Sequence, residues 1–170
     1  LYYHPGEQIK YLNDFGYPNY YFYGTPFGIS QIVQKDGIVT GIGYRVTEER
    51  RFAMTFTLDQ SATDFSLQYL GTDTEHTEAV CFRGKLFGGF ADTEGATDSN
   101  FMHACIWIPK KDSPDEFDLV YVSEWVDNNT TVEGFRLLKV VNIDEDGNLL
   151  VTAAIKGKNP RSLVVLKPIK

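Results

Sequence analysis

From residue 29 onward, apolar and polar side chains alternate with a period of two in short runs separated by turn residues. The run Arg51 to Leu58 is the clearest: Phe52, Met54, Phe56 and Leu58 fall on one face, and Ala53, Thr55 and Thr57 on the other. Such alternation predicts a strand with one dry face. The same pattern predicts strands over Ile29–Gln34, Ile38–Val46, Phe65–Leu70, Ala79–Phe87, Phe101–Ile108, Phe117–Trp125, Phe135–Ile143, Leu149–Lys156 and Ser162–Lys167, ten in all. Helical periodicity is nearly absent.

The connections carry their own chemistry. Asp36-Gly37 and Asp146-Gly147 supply residues that tolerate positive φ, so each predicts a tight hairpin. Longer polar links are expected at Gly88–Asn100, Pro109–Glu116 and Asp127–Gly134, with Gly157-Lys158-Asn159-Pro160 before the last strand. A chain of hairpins joins sequence neighbours only, and closing the sheet on itself hides both edges. The expected fold is therefore all-β: an antiparallel up-and-down barrel of about 8–10 strands, preferred over a two-sheet sandwich. It forms a single domain over 1–170, with the barrel over 29–170. Residues 1–28 differ in kind. They hold seven of the ten tyrosines, and Pro5, Pro18 and Pro26 prevent a long helix. This extended arm either plugs its own barrel or packs on another subunit, with Tyr2, Tyr3, Tyr20 and Tyr21 as candidate oligomer contacts.

Composition narrows the function. The 170 residues are 42% hydrophobic and 23% charged, which is globular. Sixteen basic against 23 acidic side chains give a net charge of −7, the wrong sign for nucleic acid or anionic lipid. No apolar run approaches the roughly 20 residues that span a bilayer. The opening Leu1-Tyr2-Tyr3-His4-Pro5 lacks an initiator Met and a basic n-region, so the chain reads as soluble and already processed.

Cys81 and Cys105 lie symmetrically about residue 93, near the middle of the link Gly88–Asn100. In a hairpin centred there they would sit opposite each other and could form a disulfide; the alternative is two buried thiols. The same centre would put Phe101 and Trp107 on an outward face beside Arg83 and Lys85, a candidate patch for self-association. Asn128-Asn129-Thr130-Thr131 contains two overlapping glycosylation acceptors, Asn128 and Asn129, in a polar link. Sequons, a bridge and a processed start agree with a secreted, extracellular glycoprotein.

Catalytic signatures are absent. There is no G-x-S-x-G, and His4, His76 and His103 are far apart in the chain. Zinc motifs H-E-x-x-H and C-x-x-C are missing, and Gly84-Lys85 and Gly88-Gly89 lack the rest of a phosphate loop. Asp144-Glu145-Asp146-Gly147-Asn148 has its Gly too early for an EF-hand and reads as a hairpin turn. Asp92, Glu94 and Asp98 crowd one link and could hold a hard cation, although acidic links are usually just solvated. No catalytic residue and no metal site is assigned.

The late strands Asp146-Gly147-Asn148-Leu149-Leu150-Val151 and Ser162-Leu163-Val164-Val165-Leu166 resemble the closing hairpins of the calycin group, the lipocalins and fatty-acid-binding proteins. The first-strand Gly-x-Trp of lipocalins is missing, since Trp107 and Trp125 both come late, and no helical lid is seen. The resemblance implies a barrel enclosing a small apolar ligand. In profile, an acidic, aromatic-rich, secreted chain is also similar to invertebrate egg carotenoproteins such as snail perivitellins. That likeness implies a large oligomer, a bound carotenoid and a storage role.

The leading expectation is a secreted carrier or storage protein that binds a carotenoid or lipid inside a barrel or at the interfaces of a homo- or hetero-oligomer. Aromatic residues make up 14% of the chain, and rings suit the walls of apolar cavities. Candidate walls are Phe52, Met54, Phe56, Phe65, Leu67, Phe82, Tyr121 and Trp125. The alternatives are a lectin-like or structural interaction module and, third, a cofactor-free barrel enzyme such as a cyclase.

Overall fold

A computed structural model of the chain describes residues 27–46, 51–59, 65–70, 76–92, 102–126, 135–155 and 161–168. Among them run eleven strands: β1 (Phe27–Lys35), β2 (Ile38–Val46), β3 (Arg51–Asp59), β4 (Phe65–Tyr69), β5 (His76–Arg83), β6 (Leu86–Asp92), β7 (Met102–Pro109), β8 (Phe117–Tyr121), β9 (Phe135–Ile143), β10 (Leu149–Ile155) and β11 (Ser162–Leu166). A single helical turn, α1 (Val122–Trp125), follows β8. All ladders are antiparallel. The residues expected as the N-terminal arm, up to residue 26, lie outside the described set.

Both Asp-Gly turns form as expected. Asp36 and Gly37 have φ of 51° and 81°, and Gly147 has φ of 79°. A third turn was not foreseen. Gly84 takes φ of 58° and reverses the chain at Gly84-Lys85, so the single strand expected over Ala79–Phe87 is two, β5 and β6. Apolar alternation continues across Gly84-Lys85, which hides the turn, but glycine adopts that backbone at no steric cost. β6 then extends through Gly88-Gly89-Phe90-Ala91-Asp92, residues expected in a link. The strand expected over Phe117–Trp125 stops at Tyr121, where α1 begins.

Hydrogen bonding sorts the strands into three sheets, each in chain order: β1-β2-β3-β4, β5-β6-β7-β8 and β9-β10-β11. Among the described residues no ladder joins β4 to β5, β8 to β9 or β1 to β11, so the sheets do not close into one barrel there. They stack instead. β5 lies against β1, β2 and β3, and β9 lies against β5, β6 and β7. The second sheet is therefore covered on both faces. Between it and the first sheet pack Ile42, Ala53, Leu70, Ala79, Phe87, Cys105 and Trp107. Between it and the third pack Cys81, Ala104, Ile106, Val122, Leu137, Val140 and Val151. Apolar burial on both faces of one sheet supplies most of the drive for stacking. The single dry face expected for β3 is thus a correction: Ala53 and Thr55 are buried toward the second sheet, while Met54 and Leu58 are buried on the opposite face.

The three sheets repeat one register. Leu58, Phe56 and Met54 stand opposite Phe65, Leu67 and Tyr69 in the first. Pro109, Trp107 and Cys105 stand opposite Phe117, Leu119 and Tyr121 in the second. Gly43 lies between Ile29 and Met54, Gly89 between Ala79 and Cys105, and Ala153 between Leu137 and Ser162. Next to each of these three small residues the first strand of the sheet carries a bulge. At Gly43 and Gly89 the bulged strand folds a carbonyl over the glycine, so an added Cβ would fall 1.8 Å from the Gly28 oxygen and 1.9 Å from the Glu78 oxygen.

Candidate binding surface

The meanders give the stack two unlike ends. At one end lie the tight turns at 36–37, 84–85 and 145–146 and the short link after β7. This end is tied by surface charges: Arg83 pairs with Glu145 at 2.7 Å across the second and third sheets, and Lys85 lies 3.7 Å from Asp115. Lys110 clamps its own hairpin through Glu116 at 2.7 Å, which holds the Glu116 carboxyl below and the Lys110 ammonium above their ordinary ranges. Exposed pairs of this kind add little stability.

While β3 and β4 are joined through 60–64 at this first end, five other connections leave from the opposite one. β2, β4, β6, β8 and β10 all finish there, so the links at 47–50, 71–75, 93–101, 127–134 and 156–160 leave from it. Three polar contacts tie the first two sheets together. The Ala53 N–H donates to Thr77 Oγ1 at 2.8 Å, Arg51 pairs with Glu78 at 2.7 Å, and the Phe82 N–H donates to Gln31 Oε1 at 2.9 Å. The Arg51 guanidinium also sits 4.2 Å from the Tyr44 ring centre, which desolvates one face of the ion pair. Around this rim His76 stands opposite Asp92, which is buried. The ring of His103 meets Tyr121 edge-on at 5.9 Å. Trp125 projects from α1 with 57% of its surface exposed.

The eight expected wall residues do not converge on one hollow. Phe52, Met54, Phe56 and Leu67 share the face of the first sheet turned away from the second, with Phe65 at the matching register position. Phe82 and Tyr121 pack between the first and second sheets. Trp125 stands apart on α1.

Neither cysteine is bridged. β6 runs between their strands, so Cys81 lies beside Gly88 in one core and Cys105 beside Gly89 in the other. The expected hairpin centre of 93 counted β5 and β7 as neighbours and missed the strand between them. The same shift removes Trp107 from the outward patch: it is 0% exposed, opposite Phe87. Phe101, Tyr2, Tyr3, Tyr20, Tyr21, Asn128 and Asn129 lie outside the described residues.

Cys81 has its thiol pushed up to about 12 by burial, only partly offset by hydrogen bonding to the Gly88 backbone, so it is a neutral packing group. Among the described residues no group of three His, Cys, Asp or Glu side chains is placed to hold a metal ion. Of the acidic trio, Asp92 is described, whereas Glu94 and Asp98 are not. No described helix is long and apolar enough to cross a membrane.

The sequence held a signal for the repeat that strand-by-strand reading passes over. Phe65-Ser66-Leu67-Gln68-Tyr69-Leu70 and Phe117-Asp118-Leu119-Val120-Tyr121-Val122 share Phe-x-Leu-x-Tyr followed by an aliphatic residue, and they form the equivalent fourth strands. No protein-family model, curated protein or solved structure matches this chain.

Proposed function

We propose that the protein is an extracellular, lectin-like binding module. Its stacked meanders, arranged like successive blades of a β-propeller, serve as a rigid frame for recognition at one end. The observation that supports this reading most is the sorting of connections. The three tight turns, with ion pairs beside them, lie at one end together with the links at 60–64 and 110–116, whereas five links, and no tight turn among the described residues, leave from the other. Loops held by a rigid frame are where binding residues concentrate. The sequons Asn128 and Asn129 belong to the 127–134 link, which leaves from the same end. Trp125 offers an exposed ring at this end, suited to stacking on the apolar face of a sugar. Titration with a panel of oligosaccharides, read by tryptophan emission, tests it. Trp107 is buried, so a change in emission on binding reports Trp125, and Trp125→Ala abolishes it. A protein retained by no glycan on an array, with emission unmoved, overturns the sugar reading.

A second reading is a carrier or storage protein for a carotenoid or lipid, seated at an interface between subunits instead of inside a closed barrel. It is favoured by the concentration of Phe52, Met54, Phe56 and Leu67 on one outer sheet face. An absorption band or an extractable apolar mass in protein purified from its source supports it; a colourless preparation that yields no lipid removes it.

A further inference from the structure

The repeated register makes equivalent positions comparable across the three sheets, and two sets of positions break the pattern at the two ends of the stack. The first set is on the leading strand of each sheet. Counting from the small residue beside the bulge, Ile29, Ala79 and Leu137 are equivalent, as are Ile32, Phe82 and Val140. In the second and third sheets this pair packs into the core shared with the preceding sheet. In the first sheet the same pair is bare: Ile29 is 46% and Ile32 55% exposed.

The second set lies on the third strand of each sheet, on the face that receives the following sheet. Thr55 stands opposite Ile42, Ile106 opposite Gly88 and Leu163 opposite Thr152, which makes the three equivalent. Ile106 is 1% exposed beneath β9, whereas Leu163 is 65% exposed, with Val165 beside it at 55%. One outer side of the described stack thus presents the strand that covers a sheet, and the other outer side presents a sheet face that such a strand covers.

We propose that two copies of this chain associate head to tail. β1 of each copy, through Ile29 and Ile32, lies across the outer face of β9-β10-β11 of the other, at Leu163 and Val165. The occupant is a second copy because the contact continues one that the chain already makes twice, with β5 on the first sheet and β9 on the second. Two unlike faces form a heterologous contact, which must close a ring or grow without limit. Two copies bring six of the described sheets, inside the usual range of about four to eight for radial stacks, whereas three copies would exceed it. This assembly goes beyond the sugar-binding reading and does not rest on it.

The test is mass in solution by light scattering and sedimentation, at concentrations up to about 1 mM, where contacts worth only about 4 kcal/mol still register. The wild-type chain is expected at twice 19.2 kDa. Ile32→Lys and Leu163→Lys change exposed positions, and each is expected to be a folded monomer with an unaltered circular dichroism spectrum. Mixed one to one, the two variants are expected to form a dimer, because the mixture restores one junction, from the unaltered β1 of one and the unaltered outer face of the other. A monomeric wild-type chain assigns these faces to a different partner and overturns the proposal. So does a series of larger species, a dimer that survives both substitutions, or a mixture that stays monomeric.

Discussion

Thr77 Oγ1 accepts the backbone N–H of Ala53 at 2.8 Å, joining the first strand of the second sheet to the third strand of the first where both residues are fully buried. β4 begins its pairing one residue further along, at Met54, so this amide falls just past the end of that ladder. Thr77 supplies the missing acceptor. Thr77→Val keeps the shape but strands a buried donor, at an expected cost of about 1–3 kcal/mol. Thr77→Ser keeps the oxygen and should recover much of that loss. Urea unfolding of the three proteins distinguishes them; equal midpoints for valine and serine would show that the hydroxyl contributes nothing.

Gly89→Ala places a Cβ 1.9 Å from the Glu78 carbonyl oxygen, and backbone atoms on both sides must give way. The expected loss is about 1–3 kcal/mol, as for other overpacked sites. At Gly84 a Cβ meets nothing within 4 Å, yet φ of 58° makes alanine strained there for a different reason. Gly84→Asn should then be milder than Gly84→Ala, since asparagine tolerates that backbone region, whereas Gly89→Asn should be at least as damaging as Gly89→Ala. Thermal melts of the four variants check this crossed pattern.

Which parts of this fold the sequence disclosed follows from how local each cause is. The strand class and the turns at Asp36-Gly37 and Asp146-Gly147 depend on neighbouring side chains and backbone preference, and they were legible. Gly84 carries the same kind of signal but sits in an apolar run that continues across it, so period alone misled. The turn at Gly84 decides the whole second sheet: without it Trp107 would face outward and Cys81 would oppose Cys105, whereas with it β6 lies between them. Stacking of sheets is a long-range packing outcome with no period of its own. Only the two Phe-x-Leu-x-Tyr strands, Phe65–Tyr69 and Phe117–Tyr121, recorded it in the sequence. The candidate rim was less legible still, because which links share an end depends on strand count, and the count was off by one.

The two tryptophans should behave as opposites. Trp107 is 0% exposed in the core between the first two sheets, and Trp125 is 57% exposed on α1. Iodide, which stays in water, should quench one fraction of the emission and leave the rest untouched. In Trp125→Phe the surviving emission should be blue-shifted and nearly unquenchable, whereas Trp107→Phe should leave a red, fully quenchable signal and lower stability. Uniform quenching of the wild-type protein would contradict the placement of Trp107.

The thiols supply an independent check on the same core. With the Cys81 thiol pushed up to about 12, almost no thiolate is present near neutrality, and the thiolate is the reactive form. Cys105 is buried as well. Native protein should therefore react slowly with Ellman's reagent at pH 8 and release two equivalents only when unfolded. Its mobility on a denaturing gel should be the same with and without reductant. A compact band that shifts on reduction would instead restore the bridge expected from the spacing.

Asp144 organises the β9–β10 turn. Its carboxylate accepts the Asn148 side-chain amide at 2.7 Å and the backbone N–H groups of Asn148 at 2.8 Å and Asp146 at 3.0 Å. The Asn148 side chain is the largest cause holding the carboxyl below its ordinary range. The two backbone bonds and Arg83 act in the same direction, and desolvation opposes them. A carboxyl whose folded pKa is depressed contributes stability above its unfolded pKa, about 3.9, and loses it as pH falls through the lower, folded value. Asp144→Ala should consequently melt below the wild-type protein at pH 7, by a modest margin because the group is exposed. That margin should shrink steadily as pH falls below about 4. A gap between the two melting temperatures that stays constant from pH 7 to pH 2 would mean that the ionised carboxylate has no part in holding the turn.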